Sequence, residues 1–544
     1  MKFSALLLLE LLCLGGAFAG APDYRGEPRK KIIETSWVTP STAFLRENIR
    51  TLEKYAPVDG IRIRIDGQGE LDGQQVRCAN YDIFGKTAWK YEWFAQAVDD
   101  LKNTEFRKFS DNFIGTTVMP GGLDWFDDAA WAAVCNNFGI MARIARETGI
   151  KGIIFDIEEY GKRFWAFEPS WGHSYEDTVL KVRQRGQEFA KAIFSEYPDM
   201  KLFCFWWLSW WEVRRHGNLN LVFAFINGVY DELPPGATVI EGDEFNSYTA
   251  GNAADYTWLR FNVDHAYPRM IDPANYRKYK SQTQLAPAIF MDAYVLHDKG
   301  KWFDPIAPLV KQYGRADAFR RNLGSALDAA DEYVWTYAER VSWWPGHGNK
   351  NVPDLMEKKL PGITWAVESA RNPLKYAPQI ILNNRAKNLL KNPDFANPGN
   401  KKDIPEWKFW QNPPSNGTAV WSKNGGKTGN GAAVMKGTTN GEIFQCLNVA
   451  PGQKYLIRVY GQNNSPTARI FADLRWGHHQ KGFNNNILNQ QFELKNPDQS
   501  GWSKQEFVVT VPFYSDRMYL FLPVYDQGQD DVARFSNPEI YRLQ

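Results

Sequence analysis

The sequence predicts a (β/α)8 TIM barrel followed by an all-β jelly-roll sandwich, and three observations carry that reading. From residue 31 to residue 369, short apolar runs alternate with segments of helical periodicity, eight times over. After Arg371 the long helical patterns stop, and Asn, Gly, Pro and Lys separate short alternating strands. An open doubly wound sheet would want a glycine-rich phosphate turn after its first strand, and Trp37-Val-Thr-Pro-Ser-Thr42 has no such glycines.

Taken in order, residues 1–19 read as a secretory signal peptide: Lys2, an apolar run from Phe3 to Leu14, then small residues ending Ala17-Phe18-Ala19. The run is too short to span a bilayer, and no later segment offers an uninterrupted apolar stretch long enough to do so. A secreted or periplasmic protein without a membrane span is expected. The barrel is assigned to residues 23–375. Its strands are predicted at Ile32 to Trp37, Gly60 to Ile65, Asn112 to Met119, Gly152 to Ile157, Met200 to Trp206, Ala237 to Glu241, Leu285 to Asp292 and Tyr333 to Ala338. The helices between them are predicted at Ser41 to Tyr55, Trp89 to Leu101, Asp127 to Glu147, Tyr175 to Glu196, Leu219 to Asp231, Asp255 to Lys280, Ala316 to Ala330 and Val352 to Ser369. Pro40 near the first turn and Ser41 or Thr42 as cap mark the start of the first helix.

The sandwich is assigned to residues 386–544. It opens with Asn388-Leu-Leu-Lys-Asn-Pro-Asp-Phe395 and closes with Ala533-Arg-Phe-Ser-Asn-Pro-Glu-Ile-Tyr541. These segments resemble the opening Asn-Leu-Leu-x-Asn-x-x-Phe and closing Phe-x-Asn strands of the carbohydrate-binding modules of families 4 and 9. The resemblance implies a carbohydrate-binding-like domain and admits a structural calcium in the sandwich; the motifs themselves are structural and name no ligand.

Composition narrows the partners. With 64 basic and 62 acidic residues, a formal charge of +2 and no dominant Lys/Arg tract, nucleic acid is excluded as an expected partner. Cys13 leaves with the signal, and Cys78, Cys135, Cys204 and Cys446 have no paired spacing, so neither a disulfide framework nor a zinc motif is expected. The 22 Trp, 24 Tyr and 34 Phe either stack on sugar rings or fill a large barrel. Oligomeric state is not legible.

The segment Lys151-Gly-Ile-Ile-Phe-Asp-Ile-Glu-Glu-Tyr160 concentrates the chemistry. Strand side chains alternate, so Asp156 and Glu158 share a face and Glu159 takes the other. At the C-terminal end of a barrel strand, acids pointing inward read as catalytic, whereas a surface turn would not require the apolar run before them. Glu241, Asp243 and Glu244 close the sixth strand, Asp292 and Tyr294 the seventh, and Glu339 the eighth. Such a ring suits glycoside hydrolysis, in which one carboxylic acid protonates the leaving oxygen and a second acts as nucleophile, base or stabiliser. Glu158, Asp156 and Glu241 are therefore the candidate catalytic residues, with no cofactor or metal for the chemistry. Trp37, Trp207, Trp210, Asp243, Asp292, Tyr294, Trp335 and Glu339 are the candidate substrate-binding residues. Each has a structural alternative: Asp243 in a solvated or cation-binding loop, Asp292 in a strand-end hydrogen bond, Glu339 in a rim salt bridge, Trp335 as barrel filling. The cluster Phe205-Trp-Trp-Leu-Ser-Trp-Trp211 reads as a stacking platform, or as loop packing. His478-His479 beside Trp476 reads as a surface loop or a metal ligand pair.

Here the barrel resembles glycoside hydrolases of family 18, whose fourth strand ends in Asp-x-Asp-x-Glu. Asp156 and Glu158 match the last two acids, and Ile154 replaces the first. The resemblance implies Glu158 as general acid, with Asp156 holding a substrate acetamido group or tuning the acid. A layout like that of the α-galactosidase clan would instead make Asp156 or Glu158 the nucleophile and Glu241 or Asp243 the acid. The expected function is a secreted glycoside hydrolase acting on a polysaccharide or glycan. A polysaccharide lyase and a non-catalytic glycan-binding protein on a barrel scaffold are the alternatives.

Overall fold

The computed structural model describes residues 29–160, 164–212, 220–296, 298–346, 354–397, 404–479, 482–483 and 489–544. Residues 1–19, expected to be a signal peptide, lie outside them. Two compact units emerge, Lys30–Asn372 and a second built from Pro373–Gln544.

The first unit is the barrel. Its parallel segments are β1 (Lys31–Glu34), β2 (Gly60–Ile63), β3 (Phe113–Thr117), β4 (Gly152–Asp156), β5 (Lys201–Cys204), β6 (Thr238–Glu241), β7 (Thr283–Leu285), β8 (Ala288–Phe290) and β9 (Tyr333–Tyr337). They are ordered β8-β9-β1-β2-β3-β4-β5-β6-β7. β7 and β8 are two halves of the predicted seventh strand, broken at Ala286-Pro287, since proline has no N–H to give a ladder. The break closes the ring: Ala286 N donates to Glu241 O at 2.9 Å on one side, and Trp335 N to Pro287 O at 3.1 Å on the other. All eight predicted strands are present, each within a few residues of its expected bounds.

Side chains fill the barrel in layers. Near the strand starts, Phe113 meets Phe203 and Tyr333 edge to face, at 5.6 and 5.7 Å between centroids. One layer up, Phe205 stacks on Trp335 at 4.3 Å. Below them, Lys31 pairs with Asp111 at 2.8 Å and Glu332 at 3.2 Å.

The outer helices include α1 (Thr42–Tyr55), α2 (Ala95–Lys102), α3 (Asp128–Thr148), α4 (Tyr175–Glu196), α5 (Val222–Glu232), α6 (Glu244–Tyr248) and α7 (Ala253–Phe261). Ser41 caps α1, its hydroxyl accepting from Phe44 N at 3.4 Å. The helix expected over Asp255 to Lys280 is instead broken: α7 gives way to a π turn at Asn262–Ala266 and a 3-10 turn at Tyr267–Met270, and helix resumes at Tyr276–Gln282. Pro268 and Pro273 account for the break. Pro361-Gly362 likewise splits the last predicted helix into Met356–Lys359 and Ile363–Arg371, with Gly362 left-handed at φ 88°. An unpredicted hairpin, Asp66–Leu71 with Gln74–Ala79, turns at Asp72-Gly73, both at positive φ.

After helix Pro373–Asn383, the second unit is a sandwich of two antiparallel sheets. One contains, in order, Lys408–Gln411, Asn440–Asn448, Arg517–Tyr525 and Arg469–His478; the other contains Thr418–Ser422, Ala432–Lys436, Val532–Arg542, Lys454–Asn463 and Ser503–Thr510. Ile443, Leu474, Leu520, Ile457, Val509 and Phe535 fill the space between them. The opening motif is tied to the closing one: Leu389 N donates to Ile540 O at 2.9 Å, and Asn388 Oδ1 accepts from Ile540 N at 3.0 Å.

Two glycines set the packing of the helices that follow β4 and β5. A Cβ at Gly186 of α4 would lie 2.2 Å from Phe225 O, and one at Gly228 of α5 would lie 2.0 Å from Arg183 O. The helices therefore touch backbone to backbone. Gly→Ala inside a helix ordinarily gains up to about 1 kcal/mol from propensity, yet overpacking costs about 1–3 kcal/mol. Gly186→Ala is expected to lower the urea midpoint; a raised midpoint would contradict the close approach.

Candidate active site

β4 is buried along its whole length, so its last residue, Asp156, is carried into the barrel mouth with only 4% of its surface exposed. Asp156 Oδ1 accepts from Glu158 N at 3.0 Å and Oδ2 from the Tyr160 hydroxyl at 2.8 Å. Burial, with the neighbouring Glu158 charge, pushes the Asp156 carboxyl up to about 7. Glu158 stays half-buried beside it. Glu159 is turned away, as alternation predicts. It accepts from Phe164 N at 2.7 Å and Trp165 N at 2.9 Å and so holds the chain after the strand.

Of the acids that follow the sixth strand, Glu244 rather than Glu241 lies beside Asp156 and Glu158. Glu241 is sealed inside with four donors: Leu208 N at 2.6 Å, Ser209 N at 3.1 Å, the Ser209 hydroxyl at 2.7 Å and Asp243 N at 3.0 Å. It pins the turn Leu208–Glu212 to β6. Asp243 is also committed to structure. It is buried at φ 41° and accepts from Asn246 Nδ2 at 2.8 Å and the Tyr267 hydroxyl at 2.9 Å. Glu244, which begins α6, faces the mouth. Burial first, then the Asp156 and Glu158 charges, hold its carboxyl well above the usual range, with the Trp206 indole N–H facing it and Glu339 near. Asp156, Glu158 and Glu244 thus form one acid cluster, with Glu339 exposed on its rim.

The aromatic expectations divide. Trp37 is 59% exposed at the end of β1, its backbone N bonded to Ala338 O at 2.9 Å. Trp207 and Trp210 are buried, so the expected stacking platform is loop packing instead. Trp206 and Trp210 meet edge to face at 5.9 Å, and Trp207 is fully enclosed. The run follows a strand end, folds into a 3-10 turn and is drawn inward by Glu241; the Trp211 side chain lies outside the described residues. Trp335 is barrel filling, its indole donating to Gly242 O at 3.2 Å. Tyr294 belongs to the helical layer, where Asn322 Nδ2 donates to its hydroxyl at 2.7 Å and Phe319 packs against it. Asp292 makes the strand-end bond: its Oδ2 accepts from Glu339 N at 3.0 Å, and burial pushes its carboxyl up to about 6.

Two residues went unread in the sequence. Glu34, at the end of β1, accepts from Ser36 N at 3.0 Å, Thr336 Oγ1 at 3.1 Å and Trp343 Nε1 at 3.2 Å, and burial pushes it up to about 7. The alternation argument used for Asp156 would have found it in Lys31-Ile-Ile-Glu34. Arg62 of β2 is a buried cation whose Nη2 donates to Ser36 O at 3.0 Å; the ionisable groups around it include Tyr81, Tyr337, Asp156, Tyr160 and Glu34. A Cβ at Gly115 would lie 2.6 Å from Arg62 Cδ, so this glycine makes room for the guanidinium. The mouth therefore combines acids that hold protons near neutral pH with one buried cation, an arrangement suited to proton transfer at a polar substrate.

No family model matches the sequence, and no curated protein matches it. Among solved structures, the enzymatically active domain of tailspike protein 4 of bacteriophage CBA120 is similar at a TM-score of 0.23 and 15% identity, over 28% of this chain and 21% of its own. TmCBM61 in complex with β-1,4-galactotriose is similar at a TM-score of 0.22 and 13% identity, over 29% of this chain and 99% of its own. Arabinose-bound MgGH51 α-L-arabinofuranosidase is similar at 0.21 and 11% identity, over 28% of this chain and 26% of its own.

Two stability measurements check these placements. Glu241→Ala strands three backbone N–H groups and a hydroxyl in the interior, and should cost more than about 3 kcal/mol by urea unfolding. Glu244→Gln, which relieves like-charge crowding, should cost little or stabilise. The Asp156 carboxyl sits at about 7 in the folded chain and near 3.9 when unfolded. Its contribution to stability is full below about pH 4 and is lost as pH rises through about 7. Asp156→Asn should flatten the decline of the urea midpoint over that window; an unchanged slope would contradict a buried, proton-holding Asp156.

Proposed function

We propose that this chain is an exported glycoside hydrolase that cleaves a polysaccharide or glycan at the mouth of the barrel. The observation that carries the reading is the meeting of Asp156, Glu158 and Glu244 at the C-terminal strand ends, where like charge and burial raise two of the three. Glycosidic cleavage needs a carboxylic acid to protonate the leaving oxygen and a second carboxylate to meet the positive charge that develops on the sugar.

Glu158 is the general acid, because it is the least enclosed of the strand-four pair and can reach a substrate in the mouth. The likeness of Asp156-Ile-Glu158 to the last two acids of the family 18 motif supports that role. Asp156, fixed by Tyr160 and the Glu158 backbone, holds a proton near neutral pH that it can pass to Glu158 for delivery to the leaving oxygen. Glu244 is the second carboxyl, taking the place the sequence had suggested for Glu241. Trp37 offers an exposed aromatic surface for a sugar ring at the edge of the mouth.

The sandwich supports the same reading. On the outer face of the sheet containing Lys408–Gln411, register places Trp410 beside Glu442, and Phe444 beside Phe521. Arg475 on that face bonds Glu442 at 2.7 Å and Asp473 at 2.8 Å, under the Phe521 ring. Trp410 is 49% exposed. An aromatic platform beside fixed polar groups suits a sugar chain, and tethering such a surface to a catalyst raises its effective concentration on a polymer.

Reducing-end release from a panel of plant, algal and animal glycans tests the proposal. Glu158→Gln, Asp156→Asn and Glu244→Gln should each lower turnover by more than about a hundredfold in folded protein. Turnover that survives all three would move the chemistry elsewhere. Binding without cleavage by the unaltered chain would make it a glycan-binding protein.

A further inference from the structure

A second cluster of side chains, in the sandwich and separate from the acid mouth, has the composition of a metal site. The strand Arg469–His478 ends in His478 and runs on into His479, while Asp516 immediately precedes the strand Arg517–Tyr525. The backbone joins the two ends: Asp516 N donates to Gly477 O at 3.1 Å, and His479 N donates to Asp516 Oδ1 at 2.8 Å. The carboxylate is thereby oriented with Oδ2 toward both imidazoles. His479 Nδ1 touches it, and His478 Nε2 stands 3.8 Å away. The two rings are 4.4 Å apart, and one ligand atom from each of the three residues falls within 4.8 Å of the others. Arg517 Nη1 neighbours the other oxygen, Oδ1, at 3.7 Å.

We propose that His478, His479 and Asp516 form a binding site for a divalent transition metal of the zinc class. Two imidazole nitrogens and one carboxylate oxygen are ligands that zinc takes at about 2.0–2.2 Å. Calcium and magnesium, by contrast, take oxygen sets. The observed spacings close to that geometry by side-chain rotation, with no movement of the strands. The His479 N–H bond to Oδ1 supplies the outer-shell orientation that metal carboxylates ordinarily have. Both His residues keep surface exposure, so water can complete the coordination. Bound metal would staple the end of one strand to the start of its sheet neighbour, and would raise stability by mass action.

The test is isothermal titration of the metal-stripped full chain with zinc chloride at about pH 7.5. One zinc per chain is expected, with a higher unfolding temperature in its presence. His478→Ala and Asp516→Asn should each weaken that site by at least about tenfold, while Cys446→Ser and His265→Ala leave it intact. Circular dichroism of each variant checks that the sandwich stays folded. No zinc bound at about 100 µM, equal stoichiometry in the His478→Ala/Asp516→Asn double variant, or displacement of zinc by equimolar calcium would each overturn the assignment.

Discussion

A carboxylate enters a protein interior at a cost of several kcal/mol unless donors meet its charge, and failing that it keeps its proton. The strand ends of this barrel are organised around that constraint. Glu241 has four donors within 3.1 Å and serves as a fastening. Asp243 is met by the Asn246 and Tyr267 side chains, whereas Asp292 is met at Oδ2 by the chain after β9 and rises to about 6. Asp156 has two donors and the charge of Glu158 against it, and Glu244 has the Trp206 indole and the charges of both. Burial raises both, Asp156 to about 7, and the acids around them raise them further.

The fastenings make the incomplete site possible. By drawing Leu208 and Ser209 onto β6, Glu241 pulls the tryptophan run inward, so that Trp206 forms the wall against which the Glu244 carboxyl lies. Glu159 anchors Phe164 and Trp165 on the opposite side of β4 and leaves Glu158 free to face the mouth. Arg62, seated over Phe205 in the space that Gly115 leaves, is the one buried cation among the groups around Asp156. It moderates the crowding of negative charge without pairing with any one acid among the described residues.

How much of this the sequence disclosed depends on whether a residue lies inside a regular element. All eight strands were legible as buried apolar runs, and alternation held for three residues past the end of β4, where Glu159 turns away from Asp156 and Glu158. Past the end of β6 it fails. Asp243 adopts a left-handed conformation at φ 41°, which redirects the chain and brings Glu244, rather than Glu241, beside Asp156 and Glu158. The same loss of period hid the inward turn of Trp207 and Trp210. Pro287 in the seventh strand, and Pro268 and Pro273 in the sixth helix, were visible as letters, but their effect depended on which neighbour needed the missing N–H.

Glu34 marks the other limit. It ends β1 as Asp156 ends β4, buried after an apolar pair, and burial brings it to about 7 as well. Yet its donors are Ser36, Thr336 and Trp343, all from the chain around β1 and β9, whereas Asp156 is approached by acids from β4 and α6. Two carboxyls raised to about the same value therefore stand in different situations. One is a proton-holding strut across the β1–β9 seam, and the other belongs to a cluster whose members change each other's charge. Catalysis by proton transfer needs the second kind, because only there does a proton lost from one group alter the affinity of the next. That distinction, rather than the size of any shift, favours β4 and α6 for the proposed chemistry.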